Sequence, residues 1–313
     1  MIISASRRTD IPAFFGSWFF QRIKEGFVYV RNPMNINQIS KIELSPDNVE
    51  CIVFWTKNPD KNFIDNLRTL DDKGYKYYFQ FTLTPYNQNV EHNLLPKEKI
   101  MDTFFSLSDK IGKEKVIWRY DPILITGDIS VDSHIELFDF YSKKISPYTN
   151  KCIISFLDLY PKINKRLLKN NIKTLTDQQI LDIAKNIREV SNKLNLKIES
   201  CCEDIDLSSF DIKHGHCIDG ELINSITGKR YSFNKDKTQR QICGCITSID
   251  IGAYNTCRNG CQYCYANWLE RVTSLNENYD DKNPLLCSKV ANNDKISNRI
   301  IKKCDLLENE LFN

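Results

Sequence analysis

The chain has 313 residues, of which 41% are hydrophobic and 27% are charged, and its formal net charge at pH 7 is +3. This composition is typical of a globular protein with a sizeable core, and so small a charge does not indicate a nucleic-acid partner, although it leaves one open. The sequence has neither a signal-peptide pattern nor an apolar stretch long enough to span a bilayer, so we expect a cytoplasmic protein with no membrane association.

Short apolar runs alternate with segments of helical periodicity, which predicts parallel strands joined by helices. The predicted strands are 1–4, 51–55, 75–83, 115–119, 152–157, 196–200 and 246–251. The predicted helices are 12–23, 63–70, 97–111, 132–144, 176–194 and 265–272, and Thr176 with Gln179 forms a capping box at the start of the fifth. We therefore predict an α/β fold in which about six to seven parallel strands form a partial βα barrel.

The order of these segments suggests a division of the chain into four parts. Residues 1–203 supply most of the barrel, and residues 204–242 read as an irregular, polar inserted subdomain that carries cysteines and histidines. Residues 243–272 supply the last barrel strand, a cysteine-rich loop and a helix. Residues 273–313 are a polar C-terminal tail, which shows helical tendency from residue 294 to residue 307.

Polar residues follow several of the predicted strands, and the carboxyl ends of parallel strands are where function gathers in such folds. The candidate residues at these ends are Arg7, Arg8, Asp10, Thr56, Lys57, Thr82, Arg119 and Asp121. Each of them taken alone is more often a cap, a turn residue or a surface charge, so the prediction depends on their convergence in one pocket. Arg7 and Arg8 suit a carboxylate or phosphate ligand, and a surface ion pair with Asp10 is the alternative.

Twelve cysteines in a chain without a secretion signal indicate a reducing compartment, where cysteines bind metal or pack in cores. Cys257, Cys261 and Cys264 have the spacing C-x3-C-x2-C, with Tyr263 directly before the last of them. Three thiolates on one short loop suit three irons of a 4Fe–4S cluster and leave the fourth iron open to a small molecule. A zinc site is the alternative, although zinc ligands usually come as two separated pairs.

Five further cysteines lie in polar surroundings near strand ends and loops: Cys201, Cys202, Cys217, Cys243 and Cys245. Four thiolates from this set would satisfy a second 4Fe–4S cluster. Thiolates together with His214 and His216 would instead suit zinc, and ordinary unligated cysteines are the third possibility.

The C-x3-C-x2-C loop resembles the cluster motif of the radical S-adenosylmethionine (radical SAM) superfamily, and its Cys-x-Tyr-Cys-Tyr form is similar to the spore photoproduct lyase branch. Thr56-Lys57 and Arg119-x-Asp121-Pro122 are also similar to stretches of that branch. The wider pattern from Cys243-Gly-Cys245 to the loop resembles a family described only as a domain of unknown function. Superfamily members usually carry the motif near the N-terminus, on the first barrel strand. Its position here implies either a circularly permuted barrel or a different kind of motif.

The resemblance implies an enzyme. Its cluster at Cys257, Cys261 and Cys264 would bind S-adenosylmethionine and cleave it reductively to a 5′-deoxyadenosyl radical, which abstracts hydrogen from an unknown substrate. The resemblance also favours an auxiliary 4Fe–4S cluster and an electron donor such as flavodoxin or ferredoxin. The auxiliary ligands would be Cys201, Cys217, Cys243 and Cys245, with Cys202 as a substitute for Cys201. Contacts to S-adenosylmethionine would come from Tyr263, Thr56, Lys57, Thr82, Arg119 and Asp121.

A non-enzymatic protein is the alternative function. In this interpretation a zinc- or iron–sulfur-bearing module binds nucleic acid or a protein partner. The interleaved lysines and aromatic residues at 75–81 would suit base stacking, but strand periodicity and the weak net charge favour a core position for those aromatic side chains.

Overall fold

The computed structural model describes residues 1–307. Its strands are β1 Ile2–Ala5, β2 Phe27–Arg31, β3 Gln38–Glu43, β4 Cys51–Thr56, β5 Tyr77–Thr82, β6 Val116–Ile123, β7 Lys151–Phe156, β8 Lys197–Ser200, β9 Lys213–His214, β10 Tyr231–Ser232, β11 Ile249–Asp250, β12 Lys295–Asn298 and β13 Asp305–Leu306. Its α-helices are α1 Ile11–Phe14, α2 Gly16–Glu25, α3 Lys61–Asp65, α4 Arg68–Asp72, α5 Lys97–Ile111, α6 Val131–Ile145, α7 Asn164–Lys169, α8 Asp177–Lys193, α9 Gly220–Thr227 and α10 Leu269–Asn276.

Eight of the strands form one sheet with the order β11-β1-β4-β5-β6-β7-β8-β9, and every pairing in it is parallel. The predicted α/β class is therefore confirmed. Within residues 1–307 the edge strands β11 and β9 do not pair with each other, so a closed barrel is not shown. The strand that precedes the cysteine motif lies first in the sheet although it comes after residue 248 in the chain.

Both faces of the central sheet are buried, as is usual for parallel strands. Because side chains alternate along a strand, Ile52 and Phe54 of β4 face the helices, where Trp18 and Phe138 join the main core. Cys51 and Val53 of β4 face the opposite way. That second face is covered by residues 201–246, whose cysteines pack directly against the sheet.

Several local predictions are confirmed and others are wrong. The capping box of Thr176 and Gln179 begins α8, as predicted. The predicted helix 12–23 is two helices, which are separated at Phe15 by a non-helical φ of −132°. The predicted helix at 265–272 begins only at Leu269, because the preceding residues form turns beside the cysteines. The prediction of helical structure in residues 294–307 is wrong.

Strands occupy part of that tail instead. β12 pairs in parallel with β3, and β13 pairs antiparallel with β10. The β2–β3 hairpin, which the sequence analysis missed, provides the edge to which β12 adds, giving a three-stranded sheet in the order β12-β3-β2. Long-range pairing of this kind overrides a local helical preference. The last six residues, 308–313, lie outside the described part of the chain. None of the helices in residues 1–307 has both the length and the apolar character needed to cross a bilayer.

Candidate functional site

The cysteine loop (residues 251–268) follows β11 and therefore lies at the carboxyl edge of the central sheet. The β5 loop (residues 83–96) holds it in place, because Glu91 and Cys261 form an antiparallel bridge and further backbone hydrogen bonds join the two loops. Gly260 adopts a φ of +70°, and a Cβ at this position would lie 3.1 Å from atoms of the β5 loop. Glycine suits this position because it adopts a positive φ without strain and has no Cβ to make the close contact.

The first thiol group consists of Cys257, Cys261 and Cys264. Burial is the main cause that raises the pKa of each thiol, in the case of Cys261 to about 12, and the proximity of Cys261 and Cys264 raises the pKa of Cys257 further. The three side chains therefore lie close together, and each is a neutral thiol at pH 7 when no metal is bound. Metal binding must displace their protons.

Cations and amide groups surround these thiols. Lys57 and Lys97 work to lower the pKa of Cys261, and Arg166 and Lys162 do the same for Cys264. The backbone N–H groups of Ala266 and Asn267 work to lower the pKa of the Cys264 thiol, and that of Asn259 does the same for Cys257. Nearby cations and N–H dipoles favour thiolates over thiols, so the loop suits metal-bound sulfur.

A buried ion cluster lies beside Cys261. Glu91 accepts hydrogen bonds from Lys57 at 2.7 Å, from Thr84 at 2.7 Å, and from Lys97 and the Tyr263 hydroxyl. Burial works to raise the pKa of Glu91, but the two ammonium groups outweigh it and lower that pKa to about 2. The cluster therefore contains two cations and one carboxylate, and its net positive charge faces the first thiol group.

Arg166 of α7 fixes the far side of the cysteine loop. Its guanidinium donates to the backbone carbonyls of Gln262, Cys264 and Asn267, the last at 3.2 Å. Asp10 fixes the near side, since its carboxylate accepts from the Lys57 amide at 2.8 Å and from the Asn259 side chain at 3.0 Å. The loop is thus held from both sides by charged groups that belong to other elements.

A cavity of about 610 Å³ lies against the first thiol group. It lies between the cysteine loop, the β5 loop and α10, and its lining includes Cys257, Gly260, His92 and Asn276. Its size falls within the range of small-molecule sites in proteins.

The second thiol group consists of Cys201, Cys202, Cys217, Cys243 and Cys245. These side chains meet on the face of the sheet that is opposite the helices. The sulfur atoms of Cys201 and Cys217 are 3.1 Å apart, and the thiols of Cys217, Cys245, Cys243 and Cys202 each act on the pKa of the next in that order. The structure therefore joins all five thiols in one continuous group.

The sheet itself anchors this second group. Tyr78 and Gln80 of β5 both donate to the Cys217 carbonyl at 2.8 Å, and Arg119 of β6 donates to the Cys217 sulfur at 2.8 Å. The hydrogen bond with Cys201 works to lower the Cys217 pKa. The neighbouring Cys245 thiol and burial outweigh this influence, so the Cys217 pKa is raised to about 12. The Cys243 pKa is lowered, chiefly by the hydrogen bond with Cys245.

Two glycines permit the close packing around this group. A Cβ on Gly244, between Cys243 and Cys245, would lie 2.7 Å from the His216 ring. A Cβ on Gly215 would lie 2.8 Å from the Glu199 side chain. Neither position accepts a larger residue without movement of its neighbours.

The strand-end residues predicted from the sequence divide between the two groups. Thr56 lies beside Asp10, and Lys57 and Tyr263 lie beside Cys261, at the first thiol group. Arg119 and its ion-pair partner Asp121 lie at the second thiol group. Thr82 ends β5 in register with Arg119. Sequence reasoning missed Glu91 and Arg166, because both lie well beyond the strand ends and within no recognisable motif.

Among residues 1–307, no group of three or more His, Cys, Asp or Glu side chains is spaced to hold a single metal ion. Ligands of one zinc ion converge on one point, whereas the thiolates of a 4Fe–4S cluster each take a different iron and stand further apart. The first group offers three thiols on one loop beside several cations, with Cys261 buried and Cys257 and Cys264 partly exposed, and these are the residues that could hold three irons of a cluster. The five thiols of the second group offer more than the four ligands that a second cluster needs.

The sequence profile of the family described as "Domain of unknown function (DUF1848)" matches residues 2–266. The match covers most of the chain and includes both thiol groups, so the protein belongs to this family. No curated protein matches the sequence.

Proposed function

We propose that this protein is a radical SAM enzyme with a permuted, partial βα barrel and an auxiliary iron–sulfur cluster. The observation that carries the proposal is the presence of Cys257, Cys261 and Cys264 on one loop at the carboxyl edge of a parallel sheet. The family resemblance of the C-x3-C-x2-C loop supports it, as does the strand order, in which β11 lies beside β1. A cytoplasmic location and a donor such as flavodoxin or ferredoxin belong to the same proposal.

Three thiolates hold three of four irons and leave one iron for a chelating amino acid. When bound, the cluster and S-adenosylmethionine supply reductive cleavage to methionine and a 5′-deoxyadenosyl radical. The chain's own residues orient and shield this site. The cavity beside Cys257 provides room for a small molecule, and Lys57 with Lys97 provides positive charge near Cys261.

The auxiliary cluster would be held by Cys201, Cys217, Cys243 and Cys245, with Cys202 as the fifth thiol of the same group. Arg119, which donates to the Cys217 sulfur, would hydrogen-bond to a ligating sulfur. Hydrogen bonds to sulfur are one of the means by which proteins adjust the potential of such clusters.

The experiment compares 5′-deoxyadenosine formation by wild type and Cys261→Ala, after anaerobic reconstitution with iron and sulfide and reduction by a strong one-electron donor. We expect slow cleavage of S-adenosylmethionine by wild type and none by the variant, because its cluster is lost or no longer leaves one distinct iron. Cys304→Ala, which removes a cysteine outside both groups, is the matched control and should behave as wild type. Equal yields from wild type and Cys261→Ala would disconnect the motif from the chemistry. Stoichiometric zinc in colourless protein would favour the non-enzymatic alternative.

A further inference from the structure

Arg7 and Trp55 form a stacked pair at the carboxyl edge of the sheet, and both retain some exposure to solvent. The Arg7 guanidinium carbon lies 5.6 Å from the centroid of the Trp55 ring. Both Nε of Arg7 and Nε1 of Trp55 are buried and have no hydrogen-bond partner among the described residues. Two buried N–H donors on neighbouring side chains each cost about 1–3 kcal/mol if they remain unpaired. Because buried donors are nearly always paired in native structures, a bound ligand with hydrogen-bond acceptors would account for these two.

Arg7 also differs from Arg8, the next residue, in its ion pairing. It forms no ion pair within residues 1–307, and its side chain makes a single long hydrogen bond, 3.4 Å, to Ser248. Arg8 lies 3.8 Å from the Asp250 carboxylate. Asp250 in turn accepts from the Arg7 backbone amide, not from its guanidinium. Burial works to lower the Arg7 pKa, but the nearby Cys245, Cys217 and Asp250 outweigh it and raise that pKa. Among residues 1–307 the Arg7 guanidinium is thus a cation close to the second thiol group whose hydrogen-bond donors are largely unpaired.

The pair lies where the two thiol groups approach each other. A second guanidinium, that of Arg119, lies over the same Trp55 ring at 5.1 Å, and Arg119 contacts Cys217. Arg7 is also near Cys245 and Cys217 of the second group and Tyr265, the residue after Cys264 of the first. Lys57 is near both Cys261 and Asp121, and Asp121 pairs with Arg119. A ligand at Arg7 would therefore lie between the proposed S-adenosylmethionine cluster and the second thiol group.

We propose that Arg7 and Trp55 bind a carboxylate or phosphate group of the substrate, with Arg119 supporting the Trp55 ring. The identification of this ligand as a substrate rests on the proposed function, whereas the anion site itself does not. A guanidinium fork matches the paired oxygens of both groups, and the indole N–H adds a third donor. The site thus predicts a substrate with at least one oxyanion, held between the two cysteine centres.

The test is calorimetric titration of the anaerobically reconstituted full-length protein with two probes, inorganic phosphate and acetate, in separate arms. We expect one binding site in wild type and an affinity about tenfold or more weaker in Arg7→Gln, because a hydrogen bond to a charged group is lost. Arg7→Lys keeps the charge but not the fork and should fall between them. Arg8→Gln is the matched control and should bind as wild type does. Phosphate binding without acetate binding would identify a phosphorylated substrate, and acetate binding without phosphate binding a carboxylate substrate. Binding of both would support an oxyanion site that accepts either group, and binding of neither by wild type would overturn the inference.

Three further results would overturn the inference. One is equal anion affinity in wild type and in a folded Arg7→Gln protein, with folding judged by circular dichroism. Another is a loss in Arg8→Gln as large as that in Arg7→Gln. The third is a tenfold weaker binding of S-adenosylmethionine in Arg7→Gln with unchanged anion affinity, which would assign Arg7 to the cofactor. The proposed function is judged separately by 5′-deoxyadenosine, so an anion site in a protein that never forms this product supports the site and contradicts the radical chemistry.

Discussion

His134 is a fully buried histidine whose protonation state is determined by the fold. Its Nε2 lies 2.8 Å from the Leu124 carbonyl and its Nδ1 lies 2.9 Å from the Tyr120 hydroxyl, so a neutral ring that donates from Nε2 and accepts at Nδ1 satisfies both. Burial lowers its pKa from 6.5 to about 4, although the hydrogen bond to Leu124 opposes this. The unfolded chain therefore binds a proton at a higher pH than the folded protein does.

The free energy of unfolding should consequently depend on pH in a definite direction. The contribution of His134 is fully present above about pH 6.5, and it is lost as pH falls towards and through about 4. A shift of this size corresponds to roughly 3 kcal/mol. Chemical denaturation of wild type and His134→Gln at a series of pH values measures the effect.

The matched control for that series is His214→Gln, which removes an exposed imidazole. We expect the wild-type slope between pH 6.5 and 4 to persist in His214→Gln and to flatten in His134→Gln. Parallel slopes in all three proteins would show that other groups determine the acid sensitivity.

At the scale of elements, the short helix α7 and the cysteine loop form one unit through Arg166. Its guanidinium satisfies three backbone carbonyls of a loop that has little regular structure. Hydrogen bonds that involve a charged donor contribute about 1.5–3 kcal/mol when a partner is removed. We expect Arg166→Gln to lower the free energy of unfolding by roughly 2 kcal/mol and to speed amide exchange in the cysteine loop.

Lys169 is an exposed basic residue of the same helix, and Lys169→Gln is the control for the loss of a surface charge. It should leave both quantities close to those of wild type, because isolated exposed charges contribute little. If Arg166→Gln lost global stability but kept normal exchange in the loop, Arg166 would support α7 and not the cysteine loop.

Most strands of the central sheet were within reach of the sequence, because the apolar runs of β4 to β7 are long and β-branched or aromatic, although the two-residue strand β9 was missed. Strand β12 was not within reach, since it pairs with residues more than 250 positions away, as Ile296 does with Ile39. The β2–β3 hairpin, whose strands pair with each other locally, was also missed. The start of α10 was also missed. Helical periodicity extends to residue 265, but turns and side-chain contacts of Asn255 and Asn267 hold the preceding residues outside the helix.

At the scale of the whole molecule, the fold unites cysteines that the sequence scatters. Spacing alone indicated Cys257, Cys261 and Cys264, because three ligands on one loop leave a local pattern. The second thiol group draws on the end of β8, the end of β9 and the approach to β11. Its composition could be suggested from polarity, but the choice between Cys201 and Cys202 could not. Both positions contact other members of the group in the structure.

The two thiol groups occupy different places, one above the edge of the sheet and one against its face, and this separation predicts how iron divides between them. Two 4Fe–4S clusters bring about eight irons per chain. Replacement of Cys257, Cys261 and Cys264 together by Ala should leave about half of the iron, as should replacement of the second group's cysteines. Each variant should keep the spectroscopic signal of the other cluster, because no ligand is shared.

The second thiol group has one cysteine more than a 4Fe–4S cluster needs, so iron content can also show which cysteine is not a ligand. If four thiolates of the second group bind iron, then of Cys201→Ala and Cys202→Ala one should lose about four irons and the other should lose none. The structure favours Cys201 as the ligand, since Arg119, which donates to the Cys217 sulfur, acts on the pKa of both thiols. Cys202 contacts Arg240 and Cys243 at the margin of the group. Anaerobic iron and sulfide quantitation of the two variants decides between them, with Cys304→Ala as the control. Full iron in both variants would mean that either thiol can complete the site. About four irons in folded wild type would remove the auxiliary cluster from the proposal, and no iron would remove both clusters.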